Sequence, residues 1–459
     1  MSSAVPPAPI GALPRRVRVG YALGSVATGA FGTVPGLLLL PYLTDRLGVG
    51  AALAGLVVLL PKAWDVILNP IAGRISDRST HPDGKRRPFL LRAGIALAIL
   101  FALLFAGPTT PAGIATAWVV IAFLACASAY AFFQVPYVAM PAELTPDYAE
   151  RTRLMTWRVA ILALAILASG ALSPLVRDAL GPTWGYRGVG AFVGLLILAG
   201  AIGVWRGTAG VPMLATPAAT AGFGDQLRLV GADRRFRLLL TTFVVQALAT
   251  GCMLAGVDYV ATWLTDTGGA ASVLFACFVA PALVVTPLWQ AVGARIGKKR
   301  GYVAASLLLF LGAAGAYAAR SLPALAVAVA VVGIGYAGAQ VFPLAMLPDV
   351  AALDAARTGE NRVGVFTGVW TGAETLGLAL GPGLYAVILA VGGYLSSSGG
   401  AVVQPDSALT AIRIGFTLVP AVLVALSLLA LRGYRLDEAD LRPSPLDAHP
   451  SPIGGPGES

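Results

Sequence analysis

This sequence predicts an all-α integral membrane protein of twelve transmembrane helices, arranged as two six-helix bundles, on the strength of three observations. The first is composition: 57% of the 459 residues are hydrophobic, only 12% are charged and the mean hydropathy is +0.79. That leaves too little polar surface to keep the chain in water. The second is a run of twelve apolar windows, each long enough to cross a bilayer. The third is an internal echo. Gln134-Val135-Pro136-Tyr137-Val138-Ala139-Met140-Pro141 returns as Gln340-Val341-Phe342-Pro343-Leu344-Ala345-Met346-Leu347-Pro348, which divides the spans six and six.

The first span, about 19–44, follows Arg15, Arg16 and Arg18 directly. It lacks the short apolar core and cleavage site of a secretory signal, so it is expected to remain in the chain. The second, about 50–74, carries Lys62, Asp65 and Asn69 and is followed by the basic run Lys85-Arg86-Arg87. The third to sixth occupy about 88–107, 113–142, 154–176 and 185–206. The Gln134 motif closes the fourth, and Arg158 sits one turn inside the fifth. A polar connector, residues 207–235, holds Arg228, Arg234 and Arg235. The seventh to twelfth then fill about 236–265, 269–294, 301–319, 322–347, 363–392 and 409–432. Domains read accordingly: an arm at 1–18, a bundle at 19–206, the connector, a second bundle at 236–434, and a Pro- and Gly-rich tail at 435–459 that cannot bury a core.

Orientation follows from the 32 Lys and Arg. With the N-terminus cytoplasmic, only Arg46, Arg177, Arg187, Arg320 and Arg413 fall on the other side and Lys62 in the membrane. Both termini are therefore expected in the cytoplasm, in the cell membrane. The net charge of +10 reads as this bias plus attraction to anionic headgroups, not as nucleic-acid binding. Cys126, Cys252 and Cys277 lie in apolar runs and read as small hydrophobes, without disulfides or metal. No phosphate loop, metal-spaced His pair or nucleophile constellation suggests an enzyme.

Polar groups inside the spans carry the functional argument. Each charged group costs about 2.5–3.5 kcal/mol at a helix centre, so a solute pathway is the default explanation. Lys62, Asp65 and Asn69 fall at i, i+3 and i+7, placing a cation, an anion and an amide on one helix face. Glu374 and Asp258 are acids of the second half that could line the same cavity. Two six-helix repeats around a midplane site imply alternating access. Near the helix ends, Asp77, Arg78, Arg86, Arg87, Glu143, Arg151 and Arg153 are spaced to form charge pairs that close the cytoplasmic side, with Asp349, Asp354 and Arg357 as counterparts.

The loop Gly73-Arg74-Ile75-Ser76-Asp77-Arg78 with Gly84-Lys85-Arg86-Arg87-Pro88 resembles the major facilitator superfamily. Pro136-Tyr137, the run from Pro141 through Glu143, Asp147, Glu150, Arg151 and Arg153, and Met346-Leu347-Pro348-Asp349 with Asp354 and Arg357 narrow the resemblance. They look like the glycoside-pentoside-hexuronide cation symporters, the melibiose permease group. That resemblance implies transport of a sugar-like solute driven by a proton, sodium or lithium, with no cofactor beyond the coupling ion and a monomer as the working unit. It also implies a coupling site at Lys62, Asp65, Asn69 and Gln134, and a sugar contact at Arg158. Tyr137, Trp64, Trp370 and Tyr259 are candidate sugar platforms, because an aromatic face stacks on the C–H face of a pyranose. Thr375 stands where the permease carries a Lys, beside Glu374.

The chain departs from the family at the ion site: Leu68, Asn69 and Gln134 replace acidic or amide positions, and Val26 replaces a first-helix Asp. Sodium favours several hard oxygens with net negative charge, and Asp65 facing Lys62 offers little surplus. A proton needs one carboxylate, so the expectation is a proton-coupled sugar symporter. The alternative is an uncoupled facilitator or exporter of an amphipathic, lipid-like solute.

Overall fold

A computed structural model describes residues 13–79, 81, 85–145, 147–211, 233–265, 267–358, 363–400 and 402–434, excluding the side chains of 63, 66, 142, 148, 149, 355–358, 363 and 364. The arm before residue 13, most of the connector and the tail lie outside the described residues, as does the side chain of Arg357.

The described chain is helical throughout its apolar windows. The helices are α1 (Arg15–Pro41), α2 (Ala51–Asp77), α3 (Arg87–Ala106) and α4 (Ala112–Leu144). One helix of 60 residues, Tyr148–Gly207, follows. At about 1.5 Å per residue it is far too long for one crossing. Gly181 breaks it: φ of +71° there is open to glycine, and Pro182 follows. Its arms are α5 (148–180) and α6 (182–207). Then come α7 (Arg234–Leu264), α8 (Ala270–Ile296), α9 (Lys298–Ala318), α10 (Leu322–Thr358), α11 (Val363–Val391) and α12 (Asp406–Arg432), the last interrupted at Thr417. With the break at Gly181 counted, the eleven long apolar helices give twelve crossings.

Packing is heaviest within two sets, α1–α6 and α7–α12. Small residues make it close. A Cβ on Gly20 would lie 2.3 Å from Gly207 Cα, and one on Gly381 2.3 Å from the Gly251 carbonyl carbon. In a membrane such backbone approach supplies the packing that hydrophobic burial does not.

Both ends of the described chain lie on one face. There Leu13 N donates to Glu150 Oε2 at 3.3 Å, Arg16 Nη2 to Ala209 O at 3.0 Å, and Lys299 Nζ to Tyr434 O. This terminal face carries the C-terminal ends of α2, α4 and α10. The opposite, far face carries residues 42–50, 178–184, 392–400 and 402–405.

Candidate functional site

Two of the helices that meet across the sets, α2 and α11, define the site. On α2, Leu53, Leu56, Leu60, Ile67, Ile71 and Ile75 are exposed and, at 100° per residue, form one lipid-type stripe. Lys62, Asp65 and Asn69 lie on the opposite face, and Asn69 is exposed there. On α11, Leu376, Leu380, Val387 and Val391 form the apolar stripe, while Thr367, Thr371 and Thr375 are exposed on the other side. Toward the far face the same two helices touch. A Cβ on Gly55 would lie 2.5 Å from Ala386 Cβ, and one on Gly383 2.7 Å from Leu59 Cδ1. The polar faces thus flank a space that is closed at the far end and open at the terminal end.

In the first set, Lys62 Nζ stands 3.6 Å from Asp65 Oδ2. Asp65 is 8% exposed, and its Oδ1 is buried without a hydrogen-bond partner. On the facing helices, Tyr137 donates to Tyr21 O at 2.9 Å and lies 2.9 Å from Ser25 Oγ. The Tyr137 and Tyr21 rings stack at 4.8 Å. Gly24 permits this, since a Cβ there would sit 2.4 Å from the Tyr137 ring. The Arg158 guanidinium stands 5.3 Å over that ring, and its Nε is buried with no partner. Tyr130 feels the charges of both Asp65 and Arg158, which brings α2, α4 and α5 to one place; Gln134 is half-buried a turn from it.

The second set mirrors this arrangement. Gln340 Nε2 donates to Tyr336 OH at 2.7 Å, with Glu374 beside it. Tyr130–Gln134 and Tyr336–Gln340 share an i, i+4 spacing, in Tyr-Ala-Phe-Phe-Gln-Val and Tyr-Ala-Gly-Ala-Gln-Val. That repeat extends the echo by four residues and was the signal for Tyr130 and Tyr336, which the sequence reading missed.

Several expected contacts fall elsewhere. Asp258 does not line the cavity: Arg177 Nη1 reaches both its oxygens at 2.7 Å, from α5 to α7, near the far face. Tyr259 is fully buried beside it, 2.7 Å from Thr44 Oγ1. Trp370 is taken up by packing, stacked at 4.4 Å on Phe243. Trp64 lies at the edge of the lipid-type stripe, donating to Ser128 Oγ at 3.0 Å. Glycine-like freedom and apolar neighbours could not tell these fates apart, because each depends on what a distant helix brings.

The ion pairs seen among the described residues of the expected terminal gate each lie within one set. Arg86 pairs with Asp77 at 2.5 Å and Glu143 at 2.8 Å, and donates to Ser76 Oγ. Burial works to lower the Arg86 pKa, yet Glu143 and then Asp77 outweigh it and hold it above the ordinary arginine value. Arg87 donates to Trp205 O, Arg151 to Thr145 O, and Arg153 pairs with Glu150 at 2.5 Å. Arg78 is exposed at the end of α2. In the second set Lys298, absent from the expected group, pairs with Asp349 at 2.6 Å; Asp354 lies near the end of α10.

The far face is where the sets are joined. The end of α1 widens into a π turn, Tyr42–Arg46, which leaves carbonyls for the loop after α11. Ser397 N donates to Thr44 O at 2.8 Å and Gly399 N to Asp45 O at 3.1 Å. Tyr394 OH donates to Asp45 Oδ1 at 2.6 Å. Gly399 is favoured there because φ of +86° is a backbone conformation that other residues rarely adopt. Asp45, Arg177 and Tyr394 were not among the candidates. Their signal was present: Arg46, Arg177 and Arg187 are three of the basic residues that break the charge bias.

Comparison with known proteins adds a family. A family model described as MFS/sugar transport protein matches residues 20–438. The putative glycoside/cation symporter YagG of Escherichia coli is 27% identical, over 92% of this chain and 92% of the relative. The isoprimeverose transporter of Lactiplantibacillus pentosus is 24% identical, over 93% and 90%. Among solved structures, a bacterial homolog of the human lysosomal transporter Spinster, inward-facing and unoccupied, superposes with a TM-score of 0.65 at 15% identity, covering 91% of this chain and 95% of that one. That likeness concerns the fold alone.

Proposed function

This chain belongs to the MFS/sugar transport protein family, and we propose that it carries a sugar or glycoside-like solute across the cytoplasmic membrane by alternating access, coupled to a proton. One observation carries the reading. Two charged side chains flanking Tyr130 each keep a buried polar atom without a partner, Asp65 Oδ1 and Arg158 Nε. An orphaned buried polar atom costs about 1–3 kcal/mol, more when charged. A polyol, whose hydroxyls both donate and accept, relieves both at once, while the Tyr137 ring, expected as a sugar platform, is fully buried against Tyr21 and beneath Arg158 and offers the solute no face. Relatives named for glycosides and isoprimeverose support the same class.

The coupling ion is read from charge. Lys62 already balances Asp65 at 3.6 Å, so no negative surplus remains for sodium. Protonation of Asp65 frees Lys62, and its loss restores the pair. With Lys and Arg concentrated at the terminal face, that face is cytoplasmic, and the V between α2 and α11 is an inward-open cavity. The two bundles, 19–206 and 236–434, rock about it. In the opposite state Asp77, Arg78, Arg86, Arg87, Glu143, Arg151 and Arg153 meet Asp349, Asp354 and Arg357 as the inner gate. The monomer is the working unit, and no cofactor enters.

Uptake by purified protein in liposomes, across a panel of glycosides, pentosides, uronides and lysolipids, tests this. An imposed inward proton gradient should drive accumulation of a glycoside, indifferent to sodium. Asp65→Asn should abolish accumulation while leaving exchange of labelled for unlabelled solute, and Arg158→Ala should cut both at least about tenfold. Activity confined to lysolipids, indifferent to the gradient, would sink the assignment and leave an uncoupled carrier of amphipathic solutes.

A further inference from the structure

The far-face junction contains a carboxylate that the transport reading does not use. Asp45 Oδ1 lies 2.6 Å from Tyr394 OH and 2.8 Å from Thr44 Oγ1. Hydroxyl protons can be assigned along the chain of bonds. Trp263 Nε1, a donor only, gives its proton to Tyr394 OH at 2.9 Å. The Tyr394 proton is then left for Asp45. Tyr259 OH and Thr44 Oγ1 are 2.7 Å apart; with Thr44 donating to Asp45, Tyr259 is the donor of that pair. Two chains of donors, both rooted in the second set, therefore converge on one oxygen of the first set.

What faces Asp45 is mostly negative or neutral. Its own turn supplies Thr44 and Arg46, the latter against Gly399. From α5 comes Arg177, which Asp258 and Asp178 already engage at 2.7 and 2.9 Å. From α7 come Asp258 and Tyr259, from α6 Tyr186, from α11 Tyr385, and from the loop beyond it Tyr394. Among the described residues no ion pair reaches Asp45. Arg177 is thus committed to two of the three acids, Arg46 forms no ion pair with Asp45, and Asp45 is the acid whose carboxylate is held by hydroxyls among the described residues. It is also reachable: Asp45, Arg46, Arg177, Asp178 and Tyr186 line a pocket of about 390 Å³ at the far face.

We propose that Asp45 is a proton-binding site of the far-face latch: with its proton the two helix sets stay joined, and without it repulsion from Asp258 across the junction opens them. The deprotonated carboxylate faces the Asp258 carboxylate of the opposite set and makes no ion pair of its own among the described residues, because Arg177 is engaged by Asp258. Protonation removes that repulsion and keeps the Tyr394 contact. Burial, and then the Asp45 charge, push the Tyr394 phenol far above its ordinary value, so it remains a donor throughout. The inference rests on the reading of the chain as a transporter that opens alternately, and on neither the sugar nor Asp65.

The test needs no substrate, so its failure is separable from failure of the sugar assignment. Spin labels on Ala112→Cys and Val403→Cys, exposed far-face positions of the two sets, report the gap by pulsed electron spectroscopy, with the three native cysteines replaced. In the full chain the short-distance population should dominate at acid pH and give way to a longer one as pH rises. Asp45→Asn should hold the short distance at every pH. Tyr394→Phe, which leaves the carboxylate but removes a donor to its charged form, should move the opening transition up by about one pH unit. A wild-type gap independent of pH, or an Asp45→Asn gap that follows the wild-type profile, overturns the proposal. If Asp45→Asn does not fold, an unshifted Tyr394→Phe transition overturns it alone.

Discussion

At the far face one ion pair and several hydrogen bonds run from one set of six helices to the other, whereas the ion pairs of the terminal face, among the described residues, close within a set. Arg177–Asp258, Tyr394–Asp45 and Tyr259–Thr44 all cross. Arg86–Glu143 and Lys298–Asp349 do not. The physical lesson is that the same residue types do two jobs, according to where their partners are anchored. A cross-set bond must break for the molecule to change state. A within-set bond travels with its bundle and keeps it rigid.

The sharpest way to break that contrast is Arg177→Ala. It strands the buried Asp258 carboxylate and should lower stability by about 3–5 kcal/mol. It should also make the far face reactive to an impermeant thiol reagent at a nearby introduced cysteine. Arg177→Met combined with Asp258→Leu should recover most of the stability in thermal melts, because no uncompensated charge remains. If the single variant stays sealed, the junction does not depend on that pair.

Arg86→Ala is the control from the other face. It leaves Glu143 buried beneath the loop and should cost about 3 kcal/mol, with no change in far-face reactivity. Arg86 is held above arginine's ordinary value, so its contribution is complete below that ordinary value and is lost only as pH rises through the folded one. Melts of wild type and variant between about pH 5 and 9 should therefore differ by a constant amount. A difference that varies across that range would mean that another titrating group carries the cluster.

Gly55→Val tests the apolar part of the junction. Its Cβ would stand 2.5 Å from Ala386 Cβ, so α2 and α11 must part, at about 1–3 kcal/mol. The spin-label gap should lengthen, and unchanged distances would show that the polar latch suffices. Lys298→Met is the smallest perturbation. Its side chain is 41% exposed beside Asp349, and such pairs contribute about 0–1 kcal/mol. A melt shifted by more would place that pair in a larger network.

Much of the site could be read from the chain. Lys62, Asp65 and Asn69 share the α2 face away from lipid, as their spacing required, and Gln134 and Gln340 stand at matching places because the repeat put them there. Asp258, Tyr259 and Trp370 were legible only as polar or aromatic residues inside spans. Nothing local distinguishes a cavity acid from a latch acid when the deciding partner, Arg177, is 81 residues away. The Tyr394–Asp45 bond joins residues 349 apart.

The sequence by itself determined the twelve crossings, their approximate ends and the polar face of α2, since hydropathy and helical period act over a few residues. The tertiary structure decided which acids are paired, which end of the cavity is sealed and which aromatics are spent on packing. Those outcomes depend on distances between helices from different sets, where a shift of a few ångströms turns a paired charge into a free one.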